Sequence, residues 1–239
     1  MRIELVPTVE EIRVEQIIHR TVIVIDVLRS TSTIVSALAH GCRIISATET
    51  IRQALALRTS ESILAGERHC KKITSFDENN SPIAMKKVNW EQTPHLVLTT
   101  TNGTRAMQKA EKAENLYIAS FLNASACIAQ ALQLKRDITL YCSGTRMEFA
   151  LEDGLCAGYL VEEAKRFLPS IEVCDLAEAM RGAYQTFAPS LLQVMMNSKT
   201  GKRLQQHHYQ EDIEMASQLN LYKIVPVCKE KCILPLLGS

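Results

Sequence analysis

Asp26 and Arg29 stand three residues apart, and residues 30–33 directly after them all carry hydroxyl side chains. A carboxylate can hold a hard cation, and a guanidinium can donate two parallel hydrogen bonds to a phosphate or sulfonate. This combination predicts a site for a small anion. The alternative interpretation is that Asp26 caps a helix, Arg29 is solvated and the hydroxyls satisfy nearby backbone groups.

The elements around these residues support the first interpretation. Residues 22–25 are an unbroken apolar, β-branched run, which is typical of a strand buried on both faces in a parallel sheet. Residues 34–40 have the pattern of an amphipathic helix that ends at Gly41. A strand that passes through a polar turn into a helix leaves backbone N–H groups free at the carboxyl edge of the sheet, where anions bind.

The same order of a strand, a hydroxyl-rich turn with an arginine and a helix recurs later in the chain. Residues 94–100 are predicted as a strand and residues 106–112 as a helix, and the turn region contains Thr100, Thr101, Asn102, Gly103, Thr104 and Arg105. Two hydroxyl-rich turns of this kind can face one anion. An Asn-Gly pair is also common in ordinary turns, which is the alternative interpretation.

The remaining pattern alternates between strands and helices, which predicts an α/β fold with a parallel or mixed sheet. Further strands are predicted at residues 2–6, 42–47, 63–65, 116–119, 138–142, 221–227 and 232–236, and further helices at residues 50–59, 123–134, 177–187, 190–196 and 209–219. Pro226 indicates that the strand containing it lies at a sheet edge. The chain of 239 residues is interpreted as a single α/β domain, with two closely packed lobes as the alternative.

Three polar segments interrupt this alternation of strands and helices. Residues 66–82 are predicted as a long loop, which in a compact domain is often functional. Glu148, Glu152 and Asp153 are predicted on one helix, with Glu148 and Glu152 on a shared face and two glycines, at 154 and 158, indicating close packing. Residues 198–203 are predicted as a basic, solvated turn, with contact to an anionic substrate as the alternative interpretation.

Composition limits the partners. The 27 basic and 26 acidic side chains leave no global field that would recruit nucleic acid or an anionic membrane. No run approaches the roughly 20 apolar residues of a membrane span, and no export signal is recognised, so we expect a cytoplasmic protein. The eight cysteines are expected to be reduced and mostly buried. The prevalence of homo-oligomers suggests self-association, while the oligomeric state stays open.

Several short motifs, taken in order, resemble the 2-phosphosulfolactate phosphatase family. They are DVLRST at residues 26–31, GER at 66–68, FDENNSP at 76–82, TTNGTRA at 100–106, SG at 143–144 and EDGLCAG at 152–158. The resemblance implies a three-layer αβα fold with a mixed, largely parallel sheet. It also implies a Mg²⁺-dependent phosphatase that converts 2-phospho-3-sulfolactate into 3-sulfolactate, a step towards coenzyme M in organisms that make it.

The resemblance and the residue chemistry together predict a site. The predicted catalytic residues are Asp26, Arg29 and Asn102. The predicted substrate-binding residues are Ser30, Thr31, Arg68, Ser81, Thr100, Thr101, Gly103, Thr104, Arg105, Ser143 and Gly144. The predicted Mg²⁺ ligands are Asp26, Asp153 and Glu152, with Glu67 and Asp77 as further candidates.

Two questions stay open at this point. The attacking group is a water activated by the metal or, in a competing covalent route, Asp26 itself. The family tends to have glycine where this chain has Cys70, Ser75 and Asn79, and Asn79 is expected to keep a left-handed turn. These departures leave two alternatives, a phosphatase of the same fold for another small phosphorylated acid and a non-catalytic anion-binding protein.

Overall fold

The computed structural model describes residues 1–230 and 232–236. The strands in this part are β1 (Arg2–Val6), β2 (Thr21–Ile25), β3 (Ile44–Thr48), β4 (Ser62–Arg68), β5 (Lys71–Lys72), β6 (His95–Thr99), β7 (Asn115–Ala119), β8 (Ile138–Cys142), β9 (Glu172–Val173), β10 (Pro226–Lys229) and β11 (Cys232–Pro235). The α-helices are α1 (Ser30–Ala39), α2 (Ile51–Ala56), α3 (Pro82–Met85), α4 (Gly103–Lys109), α5 (Ala124–Gln133), α6 (Leu151–Phe167), α7 (Asp175–Phe187), α8 (Leu191–Asn197), α9 (Lys199–Gln206) and α10 (Gln210–Ala216). The predicted α/β class is confirmed.

The strand β2 lies inside the sheet, between β7 and β8, and is parallel to both. All of its residues are buried, as its unbroken apolar sequence predicts. Alternate side chains point to opposite faces of a strand. Ile23 and Ile25 therefore pack in one hydrophobic cluster with α5 and α6, whereas Val22 and Val24 pack in another cluster with α1 and α4. Helices thus cover both faces, and the predicted three-layer αβα arrangement is confirmed.

The sheet is mixed and largely parallel, with the strand order β5-β4-β6-β3-β11-β10-β7-β2-β8-β1-β9. One parallel block consists of β4, β6 and β3, and the other consists of β7, β2, β8, β1 and β9. The antiparallel hairpin β10–β11 joins the two blocks. Because each pairing across this hairpin is antiparallel, the two blocks run in opposite directions.

The reversal matters for the site because β2 and β6 belong to different blocks. Five pairing steps separate them, and neighbouring strands rotate by about 20–25° per step, so the sheet turns by roughly 100–125° between them. Across this twisted sheet the residues that follow the two strands meet: Ser30 Oγ donates a hydrogen bond to Thr100 Oγ1 at 3.5 Å. The carboxyl ends of β2 and β6 therefore face one another.

The prediction that Pro226 marks a sheet edge is wrong. Strand β10 lies between β11 and β7, in the middle of the strand order. Pro226 is the first residue of β10 and pairs with Pro235 of β11. A proline is tolerated at the first position of a strand, where the missing N–H group is least needed.

Three predicted local structures also differ from the observed ones. The long loop at 66–82 is shorter than predicted, because β4 continues to Arg68 and forms a hairpin with β5, and α3 begins at Pro82. The basic turn at 198–203 is instead the start of helix α9, whose first turn is capped by the Ser198 hydroxyl. Helix α6 begins at Leu151, so Glu148 precedes it and does not share a face with Glu152.

The close packing predicted from the glycines of α6 is confirmed. A Cβ on Gly158 would collide with the Met180 carbonyl oxygen, so the backbone of α7 lies directly against this helix. None of the helices in residues 1–230 and 232–236 combines the length and the apolar character needed to cross a membrane. All eight cysteines are free, and four of them are buried.

Candidate active site

A cavity of about 430 Å³ lies where the strand ends of the two blocks meet. Among the residues predicted for the site, those that line it are Asp26, Arg29, Arg68, Thr100, Thr101, Asn102, Arg105 and Gly144. They follow or end three strands of the sheet, β2, β6 and β8, and β4 contributes Arg68. The volume of the cavity suits a small-molecule ligand.

Asp26 is held by the turn that follows β2. The Ser30 N–H donates to Asp26 Oδ1 at 3.4 Å, and the Thr31 N–H donates to the Asp26 carbonyl oxygen at 2.9 Å. The Asp26 N–H donates in turn to Thr31 Oγ1 at 3.1 Å. The first N–H groups of α1 and the Thr31 hydroxyl therefore position Asp26 and are not directed at a ligand.

Burial of the Asp26 carboxyl raises its pKa from 3.8 to about 7. The hydrogen bond from Ser30 opposes this rise, whereas the negative charges of Glu67 and Glu152 add to it. Asp26 is thus a buried cavity carboxylate, and the effect of burial on its pKa outweighs the hydrogen bonds that favour its charged form. A perturbed pKa of this kind is typical of functional sites.

The turn after β6 approaches the turn after β2 very closely at Gly103. A Cβ at this position would collide with Ser30 Oγ and would lie 2.9 Å from Asp26 Oδ2. Beside it, Asn102 Nδ2 donates to the Gly144 carbonyl oxygen at 2.9 Å, which connects the turn to the end of β8. Glycine is required here because any side chain would separate the two turns.

Replacing Gly103 by alanine should push the turn after β6 away from Asp26, and we expect any activity that depends on this cavity to fall by about 10-fold or more. Overpacking should also lower the free energy of unfolding by about 1–3 kcal/mol. Urea unfolding and a turnover assay measure the two effects. The matched control is Gly182→Ala in α7, where nothing lies within 4 Å of the added Cβ. Equal behaviour of the two variants would contradict this role for Gly103.

Arg29 is buried and paired with a residue that the sequence analysis did not identify. Its NH1 donates to Asp212 Oδ2 at 2.7 Å, and both side chains are 2% exposed. The guanidinium also lies 4.5 Å from the ring centroid of Tyr209. Ser81 Oγ donates to the other oxygen of Asp212 at 2.5 Å. Arg29 is thus held in place by Asp212 of α10, which Ser81 holds in turn.

Four further arginines line the cavity, and two of them were not predicted. Arg105 is partly exposed and forms an ion pair with Glu10 at 3.2 Å. Arg68 donates to the carbonyl oxygens of Glu67 and Glu49. Arg146, from the segment after β8, and Arg203, from α9, complete the set. No local motif indicated Arg146, whereas Arg203 lies in the basic segment 198–203, for which contact with an anionic substrate was the alternative interpretation. Arg29 and Arg105 are neutralised by Asp212 and Glu10, so the guanidiniums without an ion pair among the described residues are those of Arg68, Arg146 and Arg203, and these three favour an anionic ligand.

The other residues predicted for the site lie behind the cavity wall. They are Ser30, Thr31, Ser81, Gly103, Thr104, Ser143, Glu152 and Asp153, and none of them lines the cavity. Most of the hydroxyls among them bond within the protein: Thr104 Oγ1, for example, contacts Thr100 Oγ1 at 3.1 Å. These hydrogen bonds support the turns that carry the cavity residues, and contact of these hydroxyls with substrate stays a prediction.

Asp153 and Glu152, the other two predicted metal ligands, occupy the first turn of α6 and are buried. Asp153 accepts from the Val27 N–H at 2.8 Å through one oxygen and from the Gly144 N–H at 3.1 Å through the other. Burial raises the pKa of Asp153 well above its ordinary value, and the charge of Asp26 raises it further. Asp153 therefore joins the turns after β2 and β8.

The residues around Asp26 fit a hard cation. Mg²⁺ is commonly held by one or two carboxylates, and oxygens of the substrate and water complete its shell. Asp26 and Glu67 both line the cavity, and the charge of Glu67 raises the pKa of Asp26. Within residues 1–230 and 232–236, no three His, Cys, Asp or Glu side chains form a metal-binding group. A cation here would thus depend on substrate oxygens and water for most of its ligands.

The segment that departs from the family pattern contains a left-handed residue at one of the positions where the family tends to have glycine. Cys70 adopts φ +68° and lines the cavity, as a glycine at this position could. Asn79 does not have a positive φ, so the expected left-handed turn is wrong. Its Oδ1 instead accepts from the Asn80 N–H at 2.8 Å. Asp77 bonds to the Leu64 N–H at 2.8 Å and lies outside the cavity.

Comparison with known proteins shows similarity along most of the chain. A family model described as 2-phosphosulpholactate phosphatase matches residues 6–231. A protein of Thermotoga petrophila named "Probable 2-phosphosulfolactate phosphatase" is 38% identical over 207 residues, which are 87% of this chain and 88% of that protein. A protein of Clostridium acetobutylicum with the same name is 31% identical over 229 residues, which are 95% of this chain and 97% of that protein.

Proposed function

The chain belongs to the 2-phosphosulpholactate phosphatase family, and we propose that it hydrolyses 2-phospho-3-sulfolactate to 3-sulfolactate and phosphate with Mg²⁺ as cofactor. The observation that carries this proposal is the cavity, in which Asp26 meets Asn102 and several guanidiniums. A substrate with phosphate, carboxylate and sulfonate groups needs several such positive charges. The free cysteines support a cytoplasmic location.

In the reaction, the oxygen of a water forms a bond to phosphorus and the bond between phosphorus and the ester oxygen breaks. The attacking water loses one proton and the ester oxygen of the leaving 3-sulfolactate takes up one, so no proton is gained or lost overall. Asp26 and Glu67 would hold the Mg²⁺ ion, which neutralises negative charge on the phosphoryl group when bound. Asn102 and Arg68 position the phosphoryl oxygens by donating hydrogen bonds. Arg29, locked by Asp212, keeps a fixed positive charge in the wall of the cavity.

Phosphate release from racemic 2-phospho-3-sulfolactate tests the proposal. Phosphoenolpyruvate, phosphoglycerate and phospholactate serve as comparison substrates, each with Mg²⁺ and with a chelator. We expect release that requires Mg²⁺ and is fastest for the sulfonated substrate, because that substrate alone supplies both a sulfonate and a carboxylate to the arginines. Release that is unchanged by the chelator would contradict the cofactor assignment.

A second candidate is a phosphatase for another small phosphorylated acid. The observation that favours it is Cys70, whose side chain enters the cavity wall where the family tends to have a glycine. Faster release from one of the comparison acids would support this candidate and overturn the substrate assignment. A folded protein that binds these acids and releases phosphate from none of them would be an anion-binding protein.

A further inference from the structure

Besides the turns that carry Asp26 and Asn102, two segments distant in sequence line the cavity. One is helix α9, which contributes Thr200 and Arg203, and the other is a two-residue turn after β8, which contributes Arg146. We call Arg146, Thr200 and Arg203 the α9 wall. The proposed chemistry at phosphorus uses none of these three residues.

The turn that carries Arg146 is a tight two-residue hairpin. The Thr145 N–H donates to the Glu148 carbonyl oxygen at 2.8 Å, and the Glu148 N–H donates to the Thr145 carbonyl oxygen at 3.0 Å. The two central residues, Arg146 and Met147, have φ values of +52° and +62°. Turns with two left-handed residues favour Asn-Gly, so an arginine here is unfavourable for the backbone and indicates a function for its side chain.

This hairpin is attached to α9 by two contacts. Arg203 NH2 donates to Thr145 Oγ1 at 3.3 Å, and Lys199 forms an ion pair with Glu148. The attachment holds the guanidiniums of Arg146 and Arg203 at the same cavity. In residues 1–230 and 232–236, neither of these two guanidiniums has a carboxylate partner within ion-pair distance.

Thr200 is an independent indication of a ligand. Its side chain lines the cavity and is only 6% exposed. Its Oγ1 has no hydrogen-bond partner in the described part of the chain. Buried hydroxyls are normally paired, because an unpaired buried donor costs free energy. A ligand atom at the α9 wall would supply the missing partner.

We propose that the α9 wall binds the sulfonate of the substrate, the acidic group that is not transferred. This inference rests on the proposed function and names the residues that select the sulfonated substrate. A sulfonate stays ionised and presents three acceptor oxygens in a tetrahedral arrangement. Two guanidiniums and one hydroxyl can satisfy all three oxygens with charge-assisted hydrogen bonds. The phosphate then lies beside Asp26.

Substrate pairs and variants test this assignment. Phospholactate has the phosphate and the carboxylate of the natural substrate but no sulfonate. We expect Arg203→Gln to raise KM for 2-phospho-3-sulfolactate by about 10- to 100-fold, the usual effect of losing a hydrogen bond to a charged group, and to leave phospholactate hydrolysis nearly unchanged. Thr200→Val should show the same selectivity with a smaller effect. Equal losses with both substrates would overturn the assignment.

The control is Lys202→Gln, which removes one positive charge from an exposed position on the same helix. We expect it to leave both substrates unaffected, and a KM increase equal to that of Arg203→Gln would show that only net charge matters and overturn the assignment. Thermal melting of Arg203→Gln and Arg203→Lys checks that α9 stays folded.

Calorimetric binding of 3-sulfolactate and lactate separates this inference from the proposed function. Tighter binding of 3-sulfolactate by the wild type, lost in Arg203→Gln, supports the α9 wall even if the wild type releases no phosphate. Equal affinity of the wild type for the two acids overturns it even if phosphate is released.

Discussion

Replacing Asp26 by asparagine is expected to lower kcat for phosphate release by on the order of 10³-fold. The variant keeps the size of the side chain and removes the negative charge that we propose for holding Mg²⁺. The hydrogen bonds around this position come mostly from the backbone of residues 30 and 31, so the fold should persist. Steady-state phosphate release measures the loss, and calorimetry with Mg²⁺ should show weaker metal binding.

The same variant should gain stability relative to the wild type as pH rises. Asp26 has a pKa of about 7 in the folded protein and 3.8 as its ordinary value. Between these values the folded state binds a proton that the unfolded state has released, so the stability contributed by Asp26 falls as pH rises from about 4 to about 7. Asparagine has no such proton. The two proteins should therefore have similar melting temperatures near pH 4. At pH 8, in the presence of a chelator, the melting temperature of the variant should be the higher one.

The control for both measurements is Asp175→Asn, the same chemical change at an exposed position in the first turn of α7. It should leave kcat unchanged and show no comparable pH-dependent gain. An Asp26→Asn protein with normal turnover would disprove the metal role, and one whose melting temperature follows the wild type at every pH would disprove the buried state of the carboxyl.

Asp212→Asn is expected to lower the free energy of unfolding by about 3–5 kcal/mol. The substitution removes the negative charge that compensates a guanidinium that is almost fully buried, and burial of an uncompensated charge is costly. Arg29 would keep only neutral acceptors, such as the amide oxygen of the new side chain and the Cys70 carbonyl oxygen at 3.4 Å. Urea unfolding measures the stability, and KM for the substrate should rise because Arg29 would lose its fixed position in the cavity.

A double variant separates the two consequences. Apolar residues of similar size often replace a buried ion pair without loss of stability. Arg29→Met combined with Asp212→Leu should therefore recover most of the stability and none of the substrate affinity. Glu114→Gln, which breaks the exposed Arg136–Glu114 pair, is the control and should cost less than about 1 kcal/mol. Recovery of substrate affinity in the double variant would refute a role for Arg29 in binding.

The parts of the site that could be predicted from the sequence are those with local signals. A strand, a hydroxyl-rich turn and a helix are encoded within a dozen residues, and this pattern correctly identified β2–α1 and β6–α4. The same local pattern also predicted hydroxyls at the binding surface that the structure places behind the cavity wall. It could not show that the Thr31 hydroxyl bonds to the Asp26 backbone and not to a ligand.

The missed residues depend on long-range packing. Asp212 lies 183 positions from Arg29 in sequence, and no local pattern connects a surface-like helix near the carboxyl end to a turn after β2. Arg203 was predicted in a solvated turn because the segment at 198–203 is basic and polar, and contact with an anionic substrate was only the alternative interpretation. The cap at Ser198 was the available signal for a helix, and the packing of that helix against the cavity follows only from the tertiary structure.

A crystal structure of the protein with Mg²⁺, 3-sulfolactate and tungstate as a phosphate analogue would test the central claim most directly. We predict tungstate beside Asp26 and Asn102, and the sulfonate in contact with Arg203. The same acid found in the separate cavity of about 440 Å³ beside Met107 and Cys228, with nothing near Asp26, would contradict the account.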